Sequence, residues 1–131
     1  MPNLHIAATD RSPEVAFDFD QNQLRLRGES YPEDASALYG PIFQALDSYL
    51  GGLGPGDACR LDFELVYFNS SSAKAIMTLL EKLDSAAGRG VAVTIAWRYD
   101  EEDETMHELG EEFGEDVEHA EFRLEAFERP A

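Results

Sequence analysis

Apolar and polar positions alternate with period two from Glu14 to Arg27. Val15, Phe17 and Phe19 interleave with Glu14, Asp18 and Asp20; past Gln21-Asn22, Leu24 and Leu26 interleave with Arg25 and Arg27. Two such runs about a short polar turn predict a β-hairpin. Residues 1–12 show no period and are expected to form an irregular lead-in. Gly28-Glu29-Ser30-Tyr31-Pro32-Glu33 reads as a loop, in which Pro32 forces extended geometry on Tyr31.

The period then changes. Ala35, Leu38, Tyr39, Ile42, Phe43, Leu46, Tyr49 and Leu50 recur at helical spacing, so a first helix is expected from about Glu33 or Asp34. Gly40-Pro41 interrupts it, but the apolar face stays in phase across them, which predicts one bent element. The glycines between Gly51 and Gly56 end that helix. A strand follows from about Cys59 to Phe68. Its first half alternates, with Leu61, Phe63 and Leu65 against Arg60, Asp62 and Glu64. Val66-Tyr67-Phe68 is continuously apolar, which predicts a strand end covered on both faces. Ala73, Ile76, Met77, Leu80 and Leu83 mark a second helix over about Ser71 to Ala87. Val91 to Tyr99 reads as a strand whose small Ala92, Thr94 and Ala96 suit helix packing. A third helix with an acidic start carries Met106, Leu109 and Phe113 and ends near Gly114. Phe122, Leu124 and Ala126 alternate in a last strand, with Arg129-Pro130-Ala131 trailing.

The order β-β-α-β-α-β-α-β predicts an α/β protein with a mixed sheet and helices packed on it. The hairpin supplies an antiparallel pair, and the β-α-β units supply right-handed parallel crossovers. A chain of 131 residues is expected to form one domain, over residues 1–131.

Composition narrows the function. With 27 acids against 10 bases the formal charge is −17. Phosphate backbones and anionic membrane surfaces both need Lys and Arg, so neither fits. The excess acid suits solubility, a salt-adapted surface and a basic protein partner. The single cysteine, Cys59, has no mate for a disulfide and reads as a small buried residue at a strand start. No basic-then-apolar leader opens the chain, and no apolar run nears the ~20 residues that span a bilayer. The expectation is a cytoplasmic protein.

Catalytic patterns are missing. His5, His107 and His119 are scattered, with no H-x-x-x-H or H-E-x-x-H spacing. There is no phosphate-binding loop ending in Lys-Ser/Thr and no G-x-S-x-G elbow around Ser70 to Ser72. No catalytic residue, metal or cofactor is therefore expected. Asp18, Asp20, Asn22 and Glu29 match part of a calcium-loop spacing, but Gln23 stands where the sharp turn wants Gly, and a strand follows.

The remaining candidate is Asn69-Ser70-Ser71-Ser72, at the junction of the third strand and the second helix. Asn and Ser accept hydrogen bonds from the orphan N–H groups of a helix start, so the cluster reads as an ordinary cap. An exposed serine at the positive end of a helix dipole also suits a phosphate, with Lys74 one turn on to pair with it.

The segment Leu65-Val66-Tyr67-Phe68-Asn69-Ser70-Ser71-Ser72-Ala73-Lys74-Ala75-Ile76-Met77 resembles the core of the SiaC-type regulatory phosphoproteins. The Gly28–Glu33 loop, Trp97-Arg98-Tyr99-Asp100 and Gly110-Glu111-Glu112-Phe113-Gly114-Glu115-Asp116 fit as well, in the same order. The resemblance implies a STAS-like fold and a non-enzymatic switch. An unphosphorylated form binds and activates a diguanylate cyclase, setting cyclic-di-GMP and biofilm behaviour. A dedicated Ser/Thr kinase and a PP2C-type phosphatase add and remove the phosphate. The family's threonine falls on Ser70, which makes Ser70 the expected acceptor and Ser71 the alternative. Asn69, Ser72 and Lys74 complete the expected phosphosite and partner surface. Two other readings are an anti-sigma-factor antagonist, whose motif has Asp and Gly where Asn69 and the residues after Ser71 stand here, and a STAS-like domain that binds a small molecule or anion.

Overall fold

Four neighbouring strands of one sheet run parallel, and a helix joins each to the next. In the computed structural model, which describes residues 3–128, the strands are β1 (Leu4–Ile6), β2 (Glu14–Asp18), β3 (Gln23–Ser30), β4 (Ala58–Phe68), β5 (Ala92–Asp100) and β6 (Glu121–Phe127). They lie in the order β1-β2-β3-β4-β5-β6. The pairs β1–β2 and β2–β3 are antiparallel, and β3 to β6 are parallel. The helices α1 (Ala35–Gly51), α2 (Ser70–Gly88) and α3 (Glu104–Glu115) fill the three crossovers. Each crossover steps to the adjacent strand in the same direction and with the same right hand, so all three helices lie on one face.

Burial follows that layout. Val15, Phe17, Leu24, Leu26, Leu61, Phe63, Ile95 and Trp97 point to the helices and are almost wholly buried. They meet Tyr39, Ile42 and Leu46 of α1 and Ile76, Leu79 and Leu83 of α2 in one core. The alternation along β2, β3 and β4 is this core face read off the sequence.

The mixed α/β class and the order of helices and later strands stand as expected, with one added strand. Leu4–Ile6 is β1, placed by pairing Leu4 with Phe17 and Ile6 with Val15; three residues are too short to display a period. The expected loop over Gly28–Glu33 is shorter, because β3 runs to Ser30 through an irregularity at Gly28, whose φ is +118°. The first helix is one element through Pro41, although that residue has no N–H to donate. Arg129, Pro130 and Ala131 lie outside the described residues.

Ala92, Thr94 and Ala96 correct a different expectation. They face away from the helices. That face carries a row of alternating charge: Glu14 is in register with Arg27, Arg27 with Glu64, and Arg98 with Glu125. Arg98 binds the Glu64 carboxylate. Arg27 Nε lies 3.6 Å from Glu64, Arg98 Nε 3.5 Å from Glu125, and Arg60 Nη2 3.0 Å from Glu125. Ala96 sits in register between Asp62 and Arg123 and is fully buried. Small residues there leave room for long side chains to lie flat across the sheet. Single exposed pairs contribute only about 0–1 kcal/mol, but a shared network keeps a helix-free face wetted.

Helix α3 approaches the sheet closely through glycine. A Cβ on Gly110 would stand 2.5 Å from Leu124 Cδ2 and 2.6 Å from Trp97 Cδ1, and one on Gly114 2.7 Å from Phe122 Cδ1. The loop after α3 is tied to α2 by Asp84, whose carboxylate accepts from the N–H groups of Glu118, His119 and Ala120 at 3.1, 2.7 and 2.8 Å. Burial alone would raise this carboxyl, but the three donors outweigh burial and hold it below the ordinary range.

Two outcomes follow for stability. Gly110→Ala gains roughly 1 kcal/mol of helix propensity but meets the Trp97 ring, and overpacking costs about 1–3 kcal/mol; thermal unfolding should occur at lower temperature than in the wild type. Asp84 has a depressed pKa when folded, so its contribution is present above the unfolded value of about 3.8 and lost as pH falls through the folded one. The advantage of wild type over Asp84→Asn in urea unfolding should therefore be full at pH 6 and shrink below roughly pH 4.

Candidate functional site

The parallel strands β3, β4 and β5 each end near the start of the helix that follows. At the β4–α2 junction this brings Asn69, Ser70, Ser71 and Ser72 into one turn. Asn69 is the N-cap: its backbone is extended (φ −86°, ψ 177°) and its Oδ1 accepts from the Ser72 N–H at 2.9 Å. Its carbonyl accepts from the Ala73 N–H at 2.9 Å, and its own N–H donates to the Ser30 carbonyl at 3.0 Å. The cap is thus fastened to the end of β3.

The three serines part company here. Ser72 is fully buried. Its hydroxyl bonds the Ser30 hydroxyl at 2.8 Å, which in turn bonds the Tyr39 hydroxyl at 2.7 Å. Three elements, β3, α1 and α2, meet in this hydroxyl chain, and no buried side-chain polar atom is left without a partner among the described residues. Burial raises the Tyr39 phenol, partly offset by the two serines, so it stays protonated. Ser72 therefore lies beneath the surface rather than on it. Ser70 and Ser71 are exposed. They occupy the first turn, where N–H groups have no acceptor further up the helix. Lys74 is exposed one turn on. Ser71, Lys74, Glu33, Asp34 and Phe43 line a groove between the starts of α1 and α2. Ser70 stands outside that groove.

The chain before the serines is not covered on both faces as its apolar run predicts. Val66 is 39% exposed and Tyr67 51%. β4 overshoots its pairing with β5, whose register ends at Phe63 opposite Trp97. Only Phe68 turns inward, edge-on to Trp97 and to Phe113 at 6.1 and 5.9 Å. Tyr31 meets Tyr67 edge-on at 5.7 Å. Met77, two turns along α2 from Ser70, is also exposed. An accessible hydroxyl is thus flanked along the chain by exposed apolar side chains, an arrangement suited to a protein partner.

Sequence reasoning passed over Ser30 and Tyr39. Ser30 reads as a loop residue and Tyr39 as one more apolar position. A tyrosine on a buried helix face carries the signal, since its hydroxyl needs a partner when dry. The calcium-like spacing belongs to the hairpin: Asp18 Oδ1 accepts from the Gln21 N–H, and Asn22 takes the positive φ of the turn. Among the described residues no group of three His, Cys, Asp or Glu is placed to hold a metal, and no helix is long and apolar enough to cross a membrane. Cys59 is buried, and burial pushes its thiol up to about 11, which leaves it unreactive.

Comparison with known proteins bears on this site. Residues 6–127 match the family described as SiaC family regulatory phosphoprotein. A protein of Pseudomonas aeruginosa (strain UCBPP-PA14) is 38% identical over 117 residues, covering 88% of this chain and 90% of its own. The crystal structure of apo-SiaC from Pseudomonas aeruginosa superposes with a TM-score of 0.85 at 34% identity, over 96% of this chain and all of that one. A chain in the crystal structure of diguanylate cyclase SiaD in complex with its activator SiaC, from the same species, gives 0.86 at 35% identity, over 95% and 99%.

The roles of the serines separate in stability measurements. Ser72→Ala removes a buried hydroxyl from the chain to Ser30 and should cost about 1–2 kcal/mol in urea unfolding. Ser70→Ala should stay within about 0.5 kcal/mol of wild type.

Proposed function

Because this chain belongs to the SiaC family of regulatory phosphoproteins, we propose that it is a phosphorylation-controlled activator of a diguanylate cyclase in the cytoplasm. The unphosphorylated form binds the cyclase and raises cyclic-di-GMP output, with biofilm behaviour downstream. A cognate Ser/Thr kinase phosphorylates Ser70 and a PP2C-type phosphatase reverses it. The observation that carries this reading is Ser70 itself: an exposed hydroxyl in the first turn of α2, three and four residues after the exposed Tyr67 and Val66.

Ser70 is favoured over Ser71 on electrostatic grounds. A phosphate adds about −1.5 to −2 charge. On Ser71 it would enter the groove lined by Glu33, Asp34 and Lys74, two acids against one base. On Ser70 it meets the start of α2, where the dipole and the N–H groups of the first turn favour an anion, with Lys74 four residues on. The fold itself has no reason to open, because the bonds that hold the helix start run through Asn69 and Ser72.

A bound partner changes the balance. Packing against Val66, Tyr67 and a bare serine excludes water. A phosphate in the same place must be desolvated, at a cost of several kcal/mol unless the partner supplies an Arg. Longer-range attraction to a basic partner is small by comparison: at ~10 Å in water two unit charges interact by about 0.4 kcal/mol. Desolvation and bulk decide the outcome, and binding is lost.

Against purified SiaD as the cyclase, Ser70→Ala should bind and activate as the wild type does. Ser70→Glu should bind at least tenfold more weakly with an unchanged unfolding temperature. Full affinity in Ser70→Glu, measured by calorimetry, contradicts the reading.

A further inference from the structure

The two edges of the sheet differ. β1 is three residues long and offers little to pair with. β6 is seven residues long and lies last in the strand order among the described residues. Its register with β5 runs without a shift, from Thr94 opposite Glu121 to Asp100 opposite Phe127. It contains no Pro, no Lys and no bulge, the devices that commonly blunt an edge.

The backbone groups that point out of the sheet follow from one bond. The Phe127 carbonyl accepts from the Glu101 N–H at 2.9 Å, so Phe127 faces β5. The bonding groups of a strand change sides at each residue, as its side chains do. Arg123 and Glu125 therefore face β5 as well, and the N–H and C=O groups of Phe122, Leu124 and Ala126 face outward. The side chains of those three lie on the helical side, in register with Ile95, Trp97 and Tyr99. Leu124 is 37% exposed there.

The charge above this edge is one-signed. From Asp100 to Glu118 the chain has eleven acids and no Lys or Arg. Gly110 and Gly114 of α3 face the sheet, and Phe113 and Asp116 face α2. At ~100° per residue, Glu104, Glu111 and Glu115 fall on the other side of the helix, over the free edge of β6. Glu111 lies 3.2 Å from His107 Nδ1, and Glu104 and Glu115 form no ion pair among the described residues. Taken alone, β6 could pair with its own copy: Leu124 on Leu124 would set each Arg123 against a Glu125. The helices oppose that pairing. α3 and its copy would stand two strand spacings apart, ~10 Å, with carboxylates facing carboxylates.

We infer that the free edge of β6 takes a basic extended segment of a protein partner as one further strand of the sheet. The segment's backbone pairs with Phe122, Leu124 and Ala126, and these main-chain bonds supply affinity for any extended chain. The acids of α3 select the sequence. An apolar side chain of the segment packs beside Leu124. Lys or Arg side chains on the same face lay their stems over the sheet and lift their charges to Glu104, Glu111 and Glu115. The edge lies across α3 from α2, so the inference does not rest on the phosphorylation reading, and either can fail alone.

The test uses the full-length, 15N-labelled chain and a synthetic peptide of about nine residues, Lys-Thr-Lys-Thr-Val-Thr-Lys-Thr-Lys, which as a strand shows Val and Lys on one face and Thr on the other. At saturation, hydrogen exchange should slow at the Phe122, Leu124 and Ala126 amides. The Arg123 and Glu125 amides, already turned to β5, should not change. Ala126→Pro deletes an outward N–H that the sheet does not use; it should weaken the peptide about tenfold or more at an unchanged unfolding temperature. The triple variant Glu104→Gln/Glu111→Gln/Glu115→Gln keeps every backbone group and should also lose about tenfold, which keeps the test decisive if the proline variant unfolds early. A peptide of equal charge with Pro for each Thr cannot pair and should bind about tenfold more weakly. Equal binding of the Pro peptide, slowed exchange confined to other surfaces, or undiminished affinity in the triple variant would overturn the inference. A dimer of the free chain in sedimentation that Ala126→Pro dissociates would overturn it too, because the edge would then belong to a second copy. Ser70→Glu should leave peptide affinity within about twofold of wild type, as its charge lies on the far side of α3; a tenfold loss would place the peptide on the Ser70 face and overturn the assignment.

Discussion

The start of α2 is held by a chain of three hydroxyls, and the candidate site depends on that hold. Ser72, Ser30 and Tyr39 tie together α2, the end of β3 and α1. Asn69 adds a cap above them and a backbone bond to Ser30. Removing any one partner would leave a dry polar group, so the network is satisfied as a whole or not at all. Its consequence is positional. One serine of three is sealed into the structure, and the two before it are turned out to solvent on a capped helix end. Under the proposed switch a kinase would meet an exposed hydroxyl, and a phosphate added there would leave the network beneath intact.

The sheet order distributes the rest of the chemistry. Consecutive parallel strands joined by right-handed crossovers put α1, α2 and α3 on one side. The arginines of the strands fall on the other side and are spent on carboxylates there. The acid surplus of the chain is therefore concentrated on the helical side, around α3. A formal charge of −17 is in this sense not a uniform coat, and the face that carries Ser70 and Met77 is the one that meets it.

Much of this was legible in the residues. The hairpin, the in-phase helix faces and the Asn-Ser junction each follow from local rules, because period, cap and turn chemistry are properties of short segments. The family resemblance rested on that same junction and on Trp97 to Asp100 and Gly110 to Asp116. What escaped depends on neighbours distant in sequence. Three residues of β1 have no period, and only pairing with β2 defines them. The apolar Val66 and Tyr67 look buried until β4 is seen to overshoot its partner strand. Ala96 looks like a helix-packing position until the charged side chains across the sheet are found covering it. Ser30 and Tyr39 lie in segments that give no hint of each other.

The central claim is that Ser70 carries the switch, because Ser72 is sealed and Ser71 opens onto a groove with two carboxylates against one lysine. Intact-mass measurement with peptide mapping, on the protein from its native host with the phosphatase blocked, tests it most directly. The account predicts one phosphate, on Ser70, and none when the phosphatase is active. Phosphate on Ser71 or Ser72 instead would contradict it, and a chain wholly unmodified in both conditions would return the serines to the role of a helix cap.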